Sequence, residues 1–168
     1  MHDGVQVNIR ELSTGEGPAA VEVINRAAEW YAEFLGPLDE PEMDLAEWLA
    51  EAGRMTWFGA FEAGELVGVM GLEYVADVAL LRHAYVLPDR QRRGVGEGLR
   101  QHLEAEVTGV DLIVVGTYRA NYKARRALEK AGYVASSDPE GVLRRYYGIG
   151  ENRLRTSLTY EKRIEVPG

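Results

Sequence analysis

Val86-Leu87-Pro88-Asp89-Arg90-Gln91-Arg92-Arg93-Gly94-Val95-Gly96-Glu97-Gly98-Leu99 is the stretch on which the reading of the fold turns. An apolar run closes at Pro88, a glycine cluster follows, and Val95, Leu99, Leu103 and Val107 then recur every four residues, so strand, turn and amphipathic helix succeed one another. The first backbone N–H groups of such a helix have no partner within it and point outward with the positive end of its dipole. Glycines around them let an anionic group approach the backbone closely. No Gly-Lys-Ser/Thr follows, which excludes a Walker loop, and Leu99 stands where a dinucleotide fingerprint needs its third glycine.

Outward from this turn, the chain alternates strand and helix signals. Val5, Val7 and Ile9 alternate with polar residues, predicting a strand with one wet face. Pro18 suits a first helical turn, Val21, Ile24, Ala28 and Leu35 continue at helical spacing, and Gly36-Pro37 is the expected stop. A shorter helix is expected after Asp44, with Leu45, Trp48, Leu49 and Ala52 on one face and Gly53 at its end. Runs 55–62 and 66–75 read as a hairpin about Ala63-Gly64-Glu65, and 78–87 as a further strand. Asp111 to Thr117 suits a buried strand, and Ala124, Ala127, Leu128 and Ala131 form a helical stripe stopped by Gly132. Tyr133 to Ser136 and the positions Leu158, Tyr160 and Ile164 read as closing strands. The expected fold is α/β (α+β): a mixed, mostly antiparallel sheet of about seven strands with helices on both faces. No repeat or low-complexity linker divides the sequence, so residues 1–168 are read as a single domain.

Composition narrows the function classes. A chain of 168 residues can remove roughly 70% of its unfolded surface from water without disulfide or metal. Zero cysteines exclude a disulfide framework, a zinc-thiolate site and a cysteine nucleophile, and fit a reducing cytoplasm. The N-terminal residues lack a basic patch followed by an apolar stretch, and no run is long enough to span a bilayer, so a soluble cytoplasmic protein with no membrane partner is expected. The net charge of −8 argues against a nucleic-acid partner. The charge is segregated. Residues 27–53 carry eight acids and no Lys or Arg, whereas 82–130 carry ten basic residues against six acids. Three scattered histidines offer no metal spacing, and no Gly-x-Ser-x-Gly elbow supports a serine hydrolase.

The glycine turn in this context resembles the acyl-CoA signature of the GCN5-related N-acetyltransferase (GNAT) family, Q/R-x-x-G-x-G/A after a strand ending in a Val-x-Pro type sequence. Gln91, Arg92, Arg93, Gly94, Val95 and Gly96 match it in full. A second family element, Asn-x-x-Ala leading into a helix that ends Glu-Lys-x-Gly-aromatic, reappears as Asn121, Ala124, Glu129, Lys130, Gly132 and Tyr133. The resemblance implies acetyl-CoA as cosubstrate, no metal, and transfer of the acetyl group to a primary amine by direct attack. It further implies that the backbone amides from Arg92 to Glu97, Val95 included, hold the pyrophosphate, with Arg90, Arg92 or Arg93 adding charge. Tyr85, Val86 and Leu87 would border the pantetheine arm, with the Val86 N–H polarising the thioester carbonyl. Asn121 would touch the arm or order a water near it, and Lys123, Arg125 or Arg126 would meet the ribose phosphate.

Family members often use a tyrosine just before the Glu-Lys pair to protonate the departing thiolate. Leu128 stands there and cannot donate a proton. A thiolate is nevertheless a tolerable leaving group, and loss of one general acid typically costs about 10² to 10⁴ in rate. Tyr118 or Tyr85 are the replacements. His83 and Glu73 are the general-base candidates, both on strands expected to border the acceptor cleft; His2 and His102 have weaker claims. The acid-rich stretch with Trp30, Tyr31, Phe34 and Trp48 is the expected acceptor wall. Its aromatic rings and carboxylates suit a cationic small-molecule or peptide amine. The competing reading makes the rings core and the acids a solvated face. Two functions stand side by side: an N-acetyltransferase, and an acyl-CoA-binding module with little catalytic activity. A homodimer is compatible with either.

Overall fold

A two-residue turn, Ala63-Gly64, joins Thr56–Glu62 (β2) to Glu65–Val75 (β3), and both residues take left-handed φ, at 52° and 81°. That handedness matches the twist of the strands it joins, which makes this the favoured tight connection. The structure is a computed structural model describing residues 7–35, 42–91, 94–148 and 151–165. A second two-residue turn leads from β3 into Val78–Val86 (β4), and Val7–Glu11 (β1) pairs antiparallel with β2. Of the first strand's expected alternation, Val7 and Ile9 are half-buried and Asn8 and Arg10 exposed; Val5 lies outside the described residues. Leu112–Tyr118 (β5) runs parallel to β4, while Val134–Ala135 (β6) and Ser157–Arg163 (β7) complete an antiparallel flank. The sheet order is β1-β2-β3-β4-β5-β7-β6, one parallel pair in a mostly antiparallel sheet.

Helices cover both faces. Gly17–Leu35 (α1) starts behind a 3-10 turn capped by Ser13 and Glu16, and buries Ala20, Val23, Ile24 and Ala27. The expected stop at Gly36-Pro37 lies outside the described residues. Leu45–Ala52 (α2) is capped by Asp44, whose side chain accepts from the Glu47 N–H at 2.8 Å. Its inward face differs from the expected one. Trp48 and Glu51 turn in, while Leu45 and Leu49 remain 40% and 41% exposed. Trp48 fixes this rotation by stacking on Trp57 of β2, centroids 5.4 Å apart and planes 15° from parallel.

Val95–Glu106 (α3) covers the opposite face with Val95, Leu99 and Leu103. Gly68 lets it approach closely, since a Cβ at that position would sit 3.1 Å from Val95 and 3.2 Å from Leu99, tight enough that those side chains would have to shift. Tyr122–Lys130 (α4) lies on the α3 side, where the Tyr133 hydroxyl donates to Glu104 of α3 at 2.8 Å and the Tyr160 hydroxyl donates to Glu129 at 3.1 Å. Between β6 and β7 run Pro139–Val142 (α5), a π turn Leu143–Tyr147 and Glu151–Thr156 (α6), none of which the hydrophobic pattern predicts.

Candidate active site

The central parallel pair is short. β4 and β5 are in register only over Ala79–Leu81 against Ile113–Val115, after which β4 continues to Val86 and β5 to Tyr118 without pairing to each other. The divergence coincides with a bulge in β4. Val69 faces Tyr85 but Gly71 faces Arg82, so His83 and Ala84 together oppose Met70. His83 absorbs the extra residue with φ of 54°, a left-handed conformation uncommon outside glycine but one that histidine visits more readily than most side chains. Beyond the bulge the Leu87 N–H donates to Val67 O at 2.9 Å, which directs the N–H and C=O of Val86 away from β3 and toward the gap. Gln91 covers one of them, its Nε2 donating to Val86 O at 2.8 Å.

Above this gap stands the start of α3. Gly94 caps it in the left-handed region at φ 76°, and the first intrahelical bond runs from Gly98 N to Gly94 O at 2.9 Å. The N–H groups of Val95, Gly96 and Glu97 precede that bond and have no partner in the helix. Among the described residues a Cβ at Gly94 would meet nothing within 4 Å, and one at Gly96 only Val86 Cγ2 at 3.7 Å, so the space in front is open on their side. Three convergent donors, an aligned dipole and unfilled space fit an anionic group such as a pyrophosphate.

The flanking cations divide into engaged and available ones. Arg92 and Arg93 lie outside the described residues. Arg90 is engaged by Glu62 at 3.1 Å, Glu65 at 3.5 Å and Asp89, so it fastens the β2–β3 turn to the end of β4 with its charge already balanced. Arg125 is directed inward, donating from Nε to the Tyr160 hydroxyl at 3.1 Å and from Nη1 to Arg119 O at 2.9 Å. Asn121 caps α4, Oδ1 accepting from the Ala124 N–H at 3.2 Å. Tyr122, Lys123, Arg126, Ala127 and Lys130 line an outward hollow of about 360 Å³ on α4.

On the face opposite α3 the structure brings the base candidates to neighbouring positions. Glu73 is held by Arg82, Oε1 to Nη1 at 2.6 Å, and that guanidinium lies 5.5 Å from the centroid of the Tyr147 ring. His83 meets Glu51 of α2, Nε2 to Oε1 at 3.1 Å, and its ring lies 5.4 Å from Trp57. Burial opposes ionisation of Glu51, yet the His83 hydrogen bond and the charges of His83, Arg82 and Arg54 outweigh it and hold the carboxyl below its usual range. Tyr118 ends β5 on the far side of the gap, its ring 5.9 Å from the Arg153 guanidinium. Tyr85 packs edge-on against Tyr31 at 6.2 Å, and burial pushes the Tyr31 hydroxyl up while a hydrogen bond with Gln91 works the other way. Leu128 is 8% exposed and belongs to the core.

The expected acceptor wall separates into parts. Trp48 is core at 1% exposure; Trp30 and Tyr31 pack at 5.3 Å and extend toward Tyr85. Glu29, Glu33, Glu42, Asp44 and Glu47 are exposed, and Glu51 alone among the described acids of this stretch turns inside. Asp39, Glu40 and the Phe34 side chain lie outside the described residues. Sequence reasoning missed two residues. Glu51 was one acid among eight, although its i, i+3 spacing from Trp48 was a usable signal. Tyr147 sits in the unpredicted π turn with its ring against Gly116, its hydroxyl 3.5 Å from Val114 O, and burial pushes that hydroxyl up. Among the described residues there is no His, Cys, Asp and Glu group suited to a metal, and no helix long and apolar enough to cross a membrane.

The model of the Acetyltransferase (GNAT) family matches residues 24–133, more than half of the chain. No curated protein matches the sequence. Among solved structures the chain is similar to the PaiA N-acetyltransferase of Thermoplasma acidophilum in complex with coenzyme A, at 19% identity and TM-score 0.75 over 95% of this chain and 99% of that one. It is similar to the ribosomal-protein-S18-alanine N-acetyltransferase of Escherichia coli, at 21% identity and TM-score 0.73 over 97% of each chain. A third similar structure is yncA of Salmonella typhimurium with acetyl-CoA, at 19% identity and TM-score 0.70 over 95% and 94% of the two chains. At these identities the likeness concerns the fold.

Proposed function

The chain belongs to the GNAT acetyltransferase family, and from that premise we propose that it moves the acetyl group of acetyl-CoA to a primary amine by direct attack. The observation that carries this reading is the alignment of the α3 amides with the divergence of β4 and β5, which puts an anion cradle beside an N–H donor pointing into a gap. Two of the similar structures contain coenzyme A or acetyl-CoA, which supports the same ligand here. When bound, acetyl-CoA supplies an activated acetyl thioester. The amides of Val95, Gly96 and Glu97 hold its pyrophosphate, with Arg92 and Arg93 close by in sequence. The Val86 N–H donates to the carbonyl oxygen and strengthens that bond as negative charge develops there. Gln91, joined to Val86 O and to Tyr31, positions the donor.

His83 takes the proton of the incoming ammonium, which frees the nitrogen lone pair to attack the acetyl carbon. The new C–N bond forms as the C–S bond breaks, the thiolate takes a proton from Tyr118, and the second proton shed by the nitrogen as the amide forms passes through solvent to restore the Tyr118 hydroxyl. Glu73 is the weaker base, since its carboxylate is committed to Arg82 at 2.6 Å. The buried Glu51 and the exposed carboxylates of α1 and α2 favour a cationic amine, small molecule or peptide. A second reading, an acyl-CoA-binding module with little turnover, is favoured by one observation: Leu128 is core where the family's proton donor stands.

Thiol release from acetyl-CoA, measured with spermidine, tyramine, an alanine-initiated peptide and acidic amines, separates the two. The expected result is turnover with cationic acceptors. Calorimetric binding of CoA with no turnover on any acceptor establishes the module instead, and no binding at all refutes both.

A further inference from the structure

We propose that Glu51 is a positioning residue that fixes the tautomer of His83 and leaves Nδ1 as the atom that takes the amine proton; this rests on the reading of His83 as the general base. Glu51 is 8% exposed, on a helix whose one other acid, Glu47, faces solvent. Its Oε1 meets His83 Nε2 at 3.1 Å, and its Oε2 is buried without a hydrogen-bond partner among the described residues. An ionised carboxylate can only accept, so the proton between the two groups sits on Nε2. A neutral imidazole that carries its proton on Nε2 presents its lone pair at Nδ1. Among the described residues Nδ1 has no partner, and the His83 side chain is 19% exposed, on the face that α1 and α2 share.

The ring's orientation is fixed from three sides. Trp57 lies against it at 5.4 Å, Trp48 stacks behind Trp57, and the bulge sets the backbone at φ 54°. The charged groups around the pair are Arg54, 3.8 Å from the same carboxylate oxygen, and Arg82, itself joined to Glu73. When Nδ1 accepts the proton, the imidazolium is held against the Glu51 carboxylate, so the positive charge forms beside a fixed negative one. Replacing that carboxylate with an amide removes the charge. It also offers Nε2 a donor, which draws the imidazole toward the opposite tautomer.

The first test needs no turnover: a long-range ¹H–¹⁵N spectrum of the ¹⁵N-labelled protein above pH 7.5, with His83 assigned by its loss in His83→Ala. The wild type is expected to show Nε2–H for His83, Glu51→Asp to keep it, and Glu51→Gln to lose or reverse it. The same tautomer pattern in Glu51→Gln overturns the proposal, whether or not any amine is acetylated. The second test uses the best acceptor of the panel. Glu51→Gln is expected to lower kcat by about 10²-fold, with the KM for acetyl-CoA within twofold of wild type, and to have no further effect in a His83→Ala background. Losses that multiply in the double variant make Glu51 a structural residue and overturn the proposal. If Glu51→Gln fails to fold, judged by circular dichroism, Glu51→Asp is read in its place: retained tautomer and a kcat loss confined to the His83 background support the pairing, and a tautomer change with unaltered kcat overturns it.

Discussion

Replacement of Gly96 by valine tests the anion cradle in a way that separates folding from binding. The Cα–Cβ bonds of a helix lean toward its N-terminus, so a side chain at 96 grows toward the end from which the Val95, Gly96 and Glu97 amides point. Its only near neighbour among the described residues is Val86 Cγ2, 3.7 Å from the Cβ position, an ordinary contact. Gly96→Ala is therefore expected to stabilise the unliganded protein by about 1 kcal/mol through helix propensity, raising Tm by roughly 2–4 °C. Coenzyme A binding should fall only a few-fold, since the signature tolerates alanine there. Valine adds two further carbons in front of the amides and holds a phosphate beyond hydrogen-bonding range. Losing two charge-assisted bonds at about 1.5 kcal/mol each amounts to ~3 kcal/mol, or about 10² in Kd. Calorimetric titration with CoA gives the affinity, and thermal unfolding without ligand reports the fold. A Gly96→Val protein that melts like the wild type and binds CoA within twofold of it would refute the assignment of α3 as the phosphate site.

Two further outcomes are expected. Tyr118→Phe should lower kcat by about 10-fold or more with the KM for acetyl-CoA unchanged if that hydroxyl protonates the thiolate, and an unchanged kcat assigns the proton to solvent or another tyrosine. Glu104 is 15% exposed and gathers the Tyr133 hydroxyl at 2.8 Å, Arg100 at 2.6 Å and Lys162 at 3.3 Å. Burial raises its carboxyl, but these partners prevail and hold it below the usual range. Its contribution to stability is thus complete above the unfolded value of about 4.3 and is lost as pH falls through the lower native value. Glu104→Gln should cost about 1–3 kcal/mol at pH 7 and flatten the fall in stability below about pH 4.5, measured by urea unfolding across pH; an unaltered acid limb removes Glu104 from that account.

A first strand with one wet face, a two-residue turn carrying glycine, and a helix opening on a glycine cluster are local patterns, and for these the structure follows the sequence closely. Other features depend on partners far away in the chain. The inward face of α2 is chosen by Trp57, a β2 residue, and so Glu51 rather than Leu49 enters the interior. Its partner His83 is 32 positions away and takes a left-handed φ at a bulge that only the register with β3 defines. Arg90 stands just before the signature and near its basic residues, yet its charge is answered by carboxylates that flank the β2–β3 turn. The stretch between β6 and β7 has no sustained apolar period. Its ordering comes from docking on the sheet, where the Tyr147 ring lies over Gly116.

The divergence of β4 and β5 means that the sheet has two internal edges as well as its outer ones. An unpaired edge with alternating donors and acceptors is a template for any extended chain, including another copy of the same protein. Here the template is spoiled selectively. Gln91 occupies the carbonyl of Val86 and leaves the adjacent N–H facing the gap. A strand seeking both halves of a ladder finds the acceptor taken. On the acetyl-transfer reading proposed above, a ligand that brings a lone carbonyl would find its donor waiting, so one glutamine side chain would both disfavour edge pairing and favour an acyl group at the same position.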